Sequence, residues 1–121
     1  MPKIEVVFFR DDDGTVPVLD WLDKLTVKAQ AKCTVKIERL KQMGHELRLP
    51  EADYLRDGIY ELRIGLQGMN YRILYFFHER KAAVLAQGLV KERLVPHKDI
   101  ELAIKRKYKF VSDPEKYTFK E

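Results

Sequence analysis

The chain has 121 residues, 45% hydrophobic and 35% charged, which suits one globular domain with a real core and excludes a disordered segment. No apolar run approaches the ~20 residues that span a bilayer, so no membrane helix is expected. A single cysteine, Cys33, excludes a disulfide framework and a cysteine-based zinc site, and a net charge of +4 with a pI near 9.1 favours an anionic partner.

The start, MPKIEVVFFRDDDG, lacks the form of a signal peptide: only IEVVFF is apolar, and an acidic triplet follows. With one cysteine, a reducing cytoplasm is the expected location. IEVVFFR reads as a first strand, ended by DDDG, which has the form of a turn and lacks the spaced ligands of a calcium loop. In TVPVLDWLDKL, Val18, Trp21, Leu22 and Leu25 recur at helical spacing, and Pro17 suits an early helix position. Thr26 caps a second helix through Gln42, with Ala29, Cys33, Ile37 and Leu40 on one face and Gly44 as its stop. The two form a helical hairpin. HELRLPEADYLRDG reads as a loop anchored by Leu49 and Leu55.

Three strands follow, over 59–66, 69–77 and 82–89, joined by LQGM and HERK into an antiparallel meander. PHKDIELAIKRKYKFV closes the fold as a helix, with Ile100, Ala103, Ile104, Tyr108 and Val111 on one stripe. SDPEKYTFKE reads as an exposed tail. The expectation is one domain over 1–111 and a tail over 112–121. Its order is β-α-α-β-β-β-α: an α+β fold whose antiparallel sheet is packed by an N-terminal helical hairpin and a C-terminal helix.

The pairing register carries the functional argument. A turn at Gln67–Gly68 places Leu66 opposite Met69, Gly65 opposite Asn70 and Arg63 opposite Arg72. A second turn at Glu79–Arg80 places Phe77 opposite Ala82, Tyr75 opposite Val84, Ile73 opposite Ala86 and Arg72 opposite Gln87. Alternation then gathers Leu62, Ile64, Ile73, Tyr75, Phe77, Val84 and Ala86 on one face. The other face gathers Glu61, Leu74, Phe76, Ala83 and Leu85, then Arg63, Arg72, Gln87, Leu89 and Lys91. Two arginines directly opposite cost stability unless an anion lies between them. Two readings stay open. Either Glu61 is an internal partner, or Arg63, Arg72 and Lys91 cradle a phosphate, which guanidinium groups bind bidentately. A slip of one residue in either turn exchanges the faces.

The acids crowd the first quarter of the chain, while Lys91, Arg93, Lys98, Lys105, Arg106, Lys107 and Lys109 outnumber Glu92, Asp99 and Glu101 in the last helix region. That helix is either a phosphate-facing surface for RNA or the ribosome, or a solvated basic face. His97 follows Pro96 near a helix N-terminus, whose positive end favours the neutral imidazole of a general base. The bland alternative is a surface histidine. Tyr60 and Tyr71 share the parity of the core. Cys33 reads as a small buried hydrophobe, and the three histidines lack metal-ligand spacing.

LRDGIYELRI, NYRILYFF and GLVKERLVPHKDIELAIKRKY, within a stretch from Trp21 to Tyr108, resemble the phage Gp49-like, HigB-type branch of the RelE/ParE toxin superfamily. The resemblance implies a type II toxin–antitoxin toxin, a metal-independent and cofactor-free endoribonuclease that cuts mRNA on the ribosome. It also implies a cognate antitoxin, in this branch commonly a helix-turn-helix, HigA-like protein. Arg63 and Arg72 fall on the branch's paired arginines, and Lys91 on its post-strand lysine. C-terminal aromatics serve such toxins, which makes Tyr108 a candidate beside its reading as core. Gln87 stands where the branch usually has histidine, and Glu92 where it has a second lysine. Superfamily members of the ParE kind act on DNA gyrase and cut no RNA, and an inactive phage-derived member of the fold is a further alternative.

Overall fold

The computed structural model describes residues 3–91 and 93–121, so the departure at Glu92 lies outside the described residues, as do Met1 and Pro2. The elements are β1 (Glu5–Phe9), α1 (Pro17–Asp23), α2 (Val27–Met43), β2 (Ala52–Arg56), β3 (Ile59–Leu66), β4 (Met69–His78), β5 (Ala82–Val90), α3 (His97–Ser112) and β6 (Thr118–Phe119). The fold is mixed α+β. Its six strands form one sheet in the order β2-β3-β4-β5-β1-β6, antiparallel except where β1 joins β5. No helix among the described residues is long and apolar enough to cross a membrane.

Local chemistry sets the element ends. Thr26 Oγ1 accepts the Ala29 amide at 3.2 Å and caps α2, while Gly44, at φ +56°, ends it. Asp57–Gly58 and Gln67–Gly68 turn with positive φ at both residues, the two-residue geometry that matches strand twist.

The sheet is covered on both faces. The α1–α2 hairpin packs Val18, Ala29, Cys33 and Leu40 against Leu62, Ile64, Ile73, Tyr75, Ala83 and Leu85. Helix α3 packs Ile100, Ala103 and Phe110 against Ile59, Leu74, Phe76, Val84 and Ala86. This explains why β4 is apolar at nearly every position. Cys33 is fully buried, and desolvation pushes its thiol up to about 11, so it behaves as a hydrophobe rather than a nucleophile.

Four expectations are corrected. Residues 52–56 form a strand rather than a loop, because the Asp57–Gly58 turn folds them onto β3, and Leu47 rather than Leu49 is buried beside them. The β4–β5 turn holds three residues, with His78 opposite Ala82, and a bulge between Leu74 and Tyr75 inserts one more residue in β5. The first shift puts Val84 and Ala86 toward α3, and Ala83 and Leu85 toward the hairpin, the reverse of the expected faces. The second restores the parity of Gln87 and Leu89, so Arg72 faces Leu89 and Leu74 faces Gln87.

The tail is docked rather than exposed. Tyr117 stacks on Phe9 at 5.8 Å and donates its hydroxyl to Asp12 Oδ1 at 2.8 Å, and β6 pairs with β1. In α3 the buried phase runs Ile100, Ala103, Phe110, not through Tyr108 and Val111, which are 69% and 54% exposed. Phe110 takes the core position, edge-on to Phe76 at 5.7 Å.

Glu51 ties α2 to the sheet. Its carboxylate accepts from Arg39 at 2.7 and 3.0 Å and from Lys36 at 3.0 Å, and its carbonyl accepts the Arg63 amide at 2.8 Å. The Arg39 and Lys36 hydrogen bonds lower its pKa from 4.5 to about 2. A depressed carboxyl pKa contributes stability that is present above the unfolded value and lost as pH falls through the folded one. Acid titration should therefore show the wild type losing more stability than Glu51→Gln between pH 4.5 and 2, with equal curves refuting the assignment. At Gly88, an added Cβ would overlap the Trp21 indole. Gly88→Ala is expected to destabilise by roughly 1–3 kcal/mol, read as a lower thermal midpoint. An unchanged midpoint would mean that the indole slides aside freely.

Candidate functional site

The Gln67–Gly68 turn fixes Arg63 directly opposite Arg72, as the sequence register requires. Glu61 lies two residues before Arg63 on the same face, opposite Leu74 on one side and Asp53 on the other. Two like-charge pairs thus stand side by side across three strands: Asp53 with Glu61, and Arg63 with Arg72. Each alone would repel; offset by two residues, they neutralise one another.

Glu61, 2% exposed, is the centre. Its Oε2 accepts from Arg63 Nε at 3.0 Å and Nη2 at 2.8 Å, and its Oε1 accepts from Arg72 Nη1. Arg63 Nη2 also lies 3.6 Å from Asp53. Arg72 donates its other terminal nitrogen to the Arg93 carbonyl at 2.7 Å, which fastens the β5–α3 connection to the sheet. The internal-partner reading of Glu61 is therefore what the structure shows, and a cradle in which both arginines lie open is not. The Arg72 side chain is 10% exposed and held at both ends, whereas that of Arg63 keeps 39% exposure.

Lys91 follows β5 and donates its backbone N–H to the Asn70 carbonyl at 3.0 Å, which continues the ladder by one residue, and it is exposed, as is Arg93. Two strand spacings and two residues separate the backbones of Lys91 and Arg63, roughly 12 Å. Long cationic side chains from both can meet over that span. His97 opens α3 and is exposed. Gln87 Nε2 donates to the Asp99 carbonyl at 2.8 Å, which seats that first helical turn on β5 near Arg72. Tyr108 lies eleven residues along α3, roughly 16 Å from His97. The structure therefore places Arg63, Arg72, Lys91 and the Arg93 carbonyl at one end of the sheet, His97 at the start of α3 and Tyr108 near the end of that helix.

Three of the expected RNA-facing cations are engaged inside the chain. Arg106 Nη1 donates to Gln87 Oε1 at 3.0 Å and to the Ala86 carbonyl at 3.2 Å, with the guanidinium 5.6 Å above the Phe9 ring. Burial pulls its pKa down, against the pull of Asp11. Lys107 Nζ donates to the Asp57 carbonyl at 3.1 Å. Lys109 bridges Asp11 at 3.1 Å and Asp12 at 2.8 Å, which raises its own pKa and helps to lower that of Asp12. The acidic triplet and the basic helix, distant in sequence, meet here. Asp53 and the Arg93 carbonyl were not legible as site groups, since reading 52–56 as a loop hid the alternation that places Asp53 beside Glu61.

The family model described as Phage derived protein Gp49-like (DUF891) matches residues 20–108, from α1 to the last turns of α3. No curated protein matches the chain.

Removing Glu61 leaves Arg72 buried with its charge uncompensated. Glu61→Ala is expected to cost roughly 3–5 kcal/mol in chemical denaturation. Adding Arg72→Met to it should recover part of that loss, since the two act as one unit. Additive losses would show that the carboxylate and Arg72 are not coupled.

Proposed function

This chain belongs to the Gp49-like family of phage-derived proteins, a toxin-like family, and on that footing we propose that it is the toxin of a toxin–antitoxin pair, an endoribonuclease that cuts mRNA on the ribosome. The supporting observation is the half-open Arg63, pinned through Nε and Nη2 by buried Glu61 and flanked by exposed Lys91 and Arg93. A guanidinium with five donors, two of its nitrogens already anchored, is preorganised to present the rest to a phosphate.

In the proposed reaction a ribose 2′-oxygen attacks the adjacent phosphorus. A base takes the 2′-proton, the 5′-oxygen leaves with a proton, and a 2′,3′-cyclic phosphate remains. Arg63 and Lys91 stabilise the negative charge that builds on the non-bridging oxygens. Arg72 works from behind, as the anchor of Glu61 and of the connection that carries Lys91 and Arg93. His97 is the proposed base. No metal or cofactor takes part, and the ribosome supplies alignment of the substrate. The cognate antitoxin, by the family resemblance a helix-turn-helix protein, neutralises the toxin in the cytoplasm.

A second reading rests on Gln87. Both ends of its amide are occupied, by Asp99 and Arg106, at the position where related toxins carry histidine. A toxin without that imidazole would fit a binder of DNA gyrase that cuts no RNA.

Controlled induction with 5′-end mapping of mRNA separates the two. Cleavage within translated codons is expected for the wild type, with Arg63→Ala and Lys91→Ala each reducing it by about 100-fold or more. Thermal unfolding of Lys91→Ala, at an exposed position, stays close to wild type. Arg63→Ala also lowers the midpoint because it takes one partner from buried Glu61, so Lys91→Ala is the variant that separates activity from folding. Growth arrest with intact mRNA would reject the nuclease and favour the gyrase reading.

A further inference from the structure

Arg63 shares one terminal nitrogen between two carboxylates of unlike standing. Nη2 donates to Glu61 Oε2 at 2.8 Å and lies 3.6 Å from Asp53 Oδ2. The Glu61 side chain is 3% exposed and that of Asp53 40%. The inner contact is a hydrogen bond sheltered from water. The outer one is longer than a hydrogen bond and stands in solvent, where an ion pair is weak and readily exchanged.

Charge balance explains why Asp53 stands there. Two guanidiniums, Arg63 and Arg72, against one buried carboxylate, Glu61, leave one positive charge in excess. Arg72 is enclosed, so the excess is felt on the open side of Arg63. Strand β2 is the edge of the sheet, and its register sets Asp53 opposite Glu61, a like-charge pair that costs stability by itself. Asp53 Oδ1 accepts the Tyr54 amide at 3.0 Å, which holds the carboxylate on its own strand while Oδ2 faces Arg63. Asp53 thus meets the excess charge at the position where an external anion would meet it.

We infer that Asp53 is the resident anion of Arg63, a specificity-determining gate that an incoming phosphate has to displace. It sets a threshold for binding. An isolated phosphate competes with Asp53 through Arg63 alone, whereas a nucleic-acid backbone also meets exposed Lys91 and Arg93 and gains from each further charge it neutralises. The gate therefore leaves Arg63 closed to small anions and open to a polyanion. The inference rests on the proposed function in taking Arg63 as a phosphate seat. It also fixes a sign: Asp53 acts against anion binding, where a residue that only held Arg63 in place would act for it.

The test titrates the full chain with inorganic phosphate, then with a short 2′-deoxy oligonucleotide that lacks the attacking oxygen, at constant ionic strength. The Arg63 Nε–Hε resonance reports occupancy. Asp53→Asn keeps an acceptor for the Tyr54 amide and loses the charge, and it is expected to raise affinity for both probes about two- to fivefold. Asp53→Glu restores a competing carboxylate and should bring affinity back close to wild type. Asp23→Asn, at an exposed position on α1, makes the same change in net charge and should leave affinity near wild type. Unchanged or weaker binding by Asp53→Asn, an equal gain from Asp23→Asn, or no saturable shift at Arg63 in any variant would each overturn the inference. The nuclease reading fails separately. A gain in affinity with mRNA left intact keeps the gate and rejects cleavage, whereas cleavage with affinity indifferent to Asp53→Asn does the reverse.

Discussion

Glu61 joins the fold to its candidate site. A carboxylate that is nearly inaccessible to water must be compensated, and it is, by Arg63 on its own strand and Arg72 on the next. Everything near it depends on that placement. The type of the Gln67–Gly68 turn sets the β3–β4 register, the register sets Arg63 against Arg72, and alternation puts Glu61 on the face that separates them. Arg72 then reaches past the sheet to the Arg93 carbonyl, which fixes how the chain leaves β5 and where α3 begins. A one-residue change at Gln67–Gly68 would turn β4 over relative to β3, moving Arg72 to the hairpin face and away from Glu61.

The same economy of charge runs through the α3 side. Asp11 and Asp12, at the end of β1, hold Lys109; Tyr117 hydrogen-bonds Asp12 and covers Phe9; Arg106 lies over Phe9 and supports Gln87. The carboxylates that open the chain thus neutralise the C-terminal half of the helix that closes it. Among the described residues, Lys91, Arg93, Lys98 and Lys105 take part in no ion pair.

Much of this was legible in the sequence, for reasons that differ by element. Helix α1 carried an early proline, α2 a threonine cap, and both an apolar face, and Gly68 marked its turn, so the Arg63–Arg72 pairing followed directly. The β4–β5 turn held no such marker: Glu79 and Arg80 adopt positive φ without glycine, and the bulge at Leu74 and Tyr75 has no signature of its own. The two shifts are each one residue, so their sum leaves parity unchanged. The face of Gln87 came out right although its partner did not, and the faces of Ala83 to Ala86 came out reversed. Asp57–Gly58 is a readable hairpin signal, lost when HELRLPEADYLRDG is taken as a single loop. The tail misled by composition: Lys116 and Lys120 look solvated, yet Tyr117 and Phe119 between them supply the burial that holds it.

Gln87 shows how a single position redirects the chemistry of such a site. An imidazole there would stand on the face of Arg72 and close to the first turn of α3, able to exchange a proton. The amide cannot, and its two ends serve instead as a clamp between the Asp99 carbonyl and Arg106. That clamp does structural work an imidazole would do less completely, since a neutral ring offers one donor and one acceptor in a fixed line, whereas the amide meets partners on two sides. His97 lies two residues before Asp99 in α3, and the Gln87–Asp99 hydrogen bond holds that helical turn against β5.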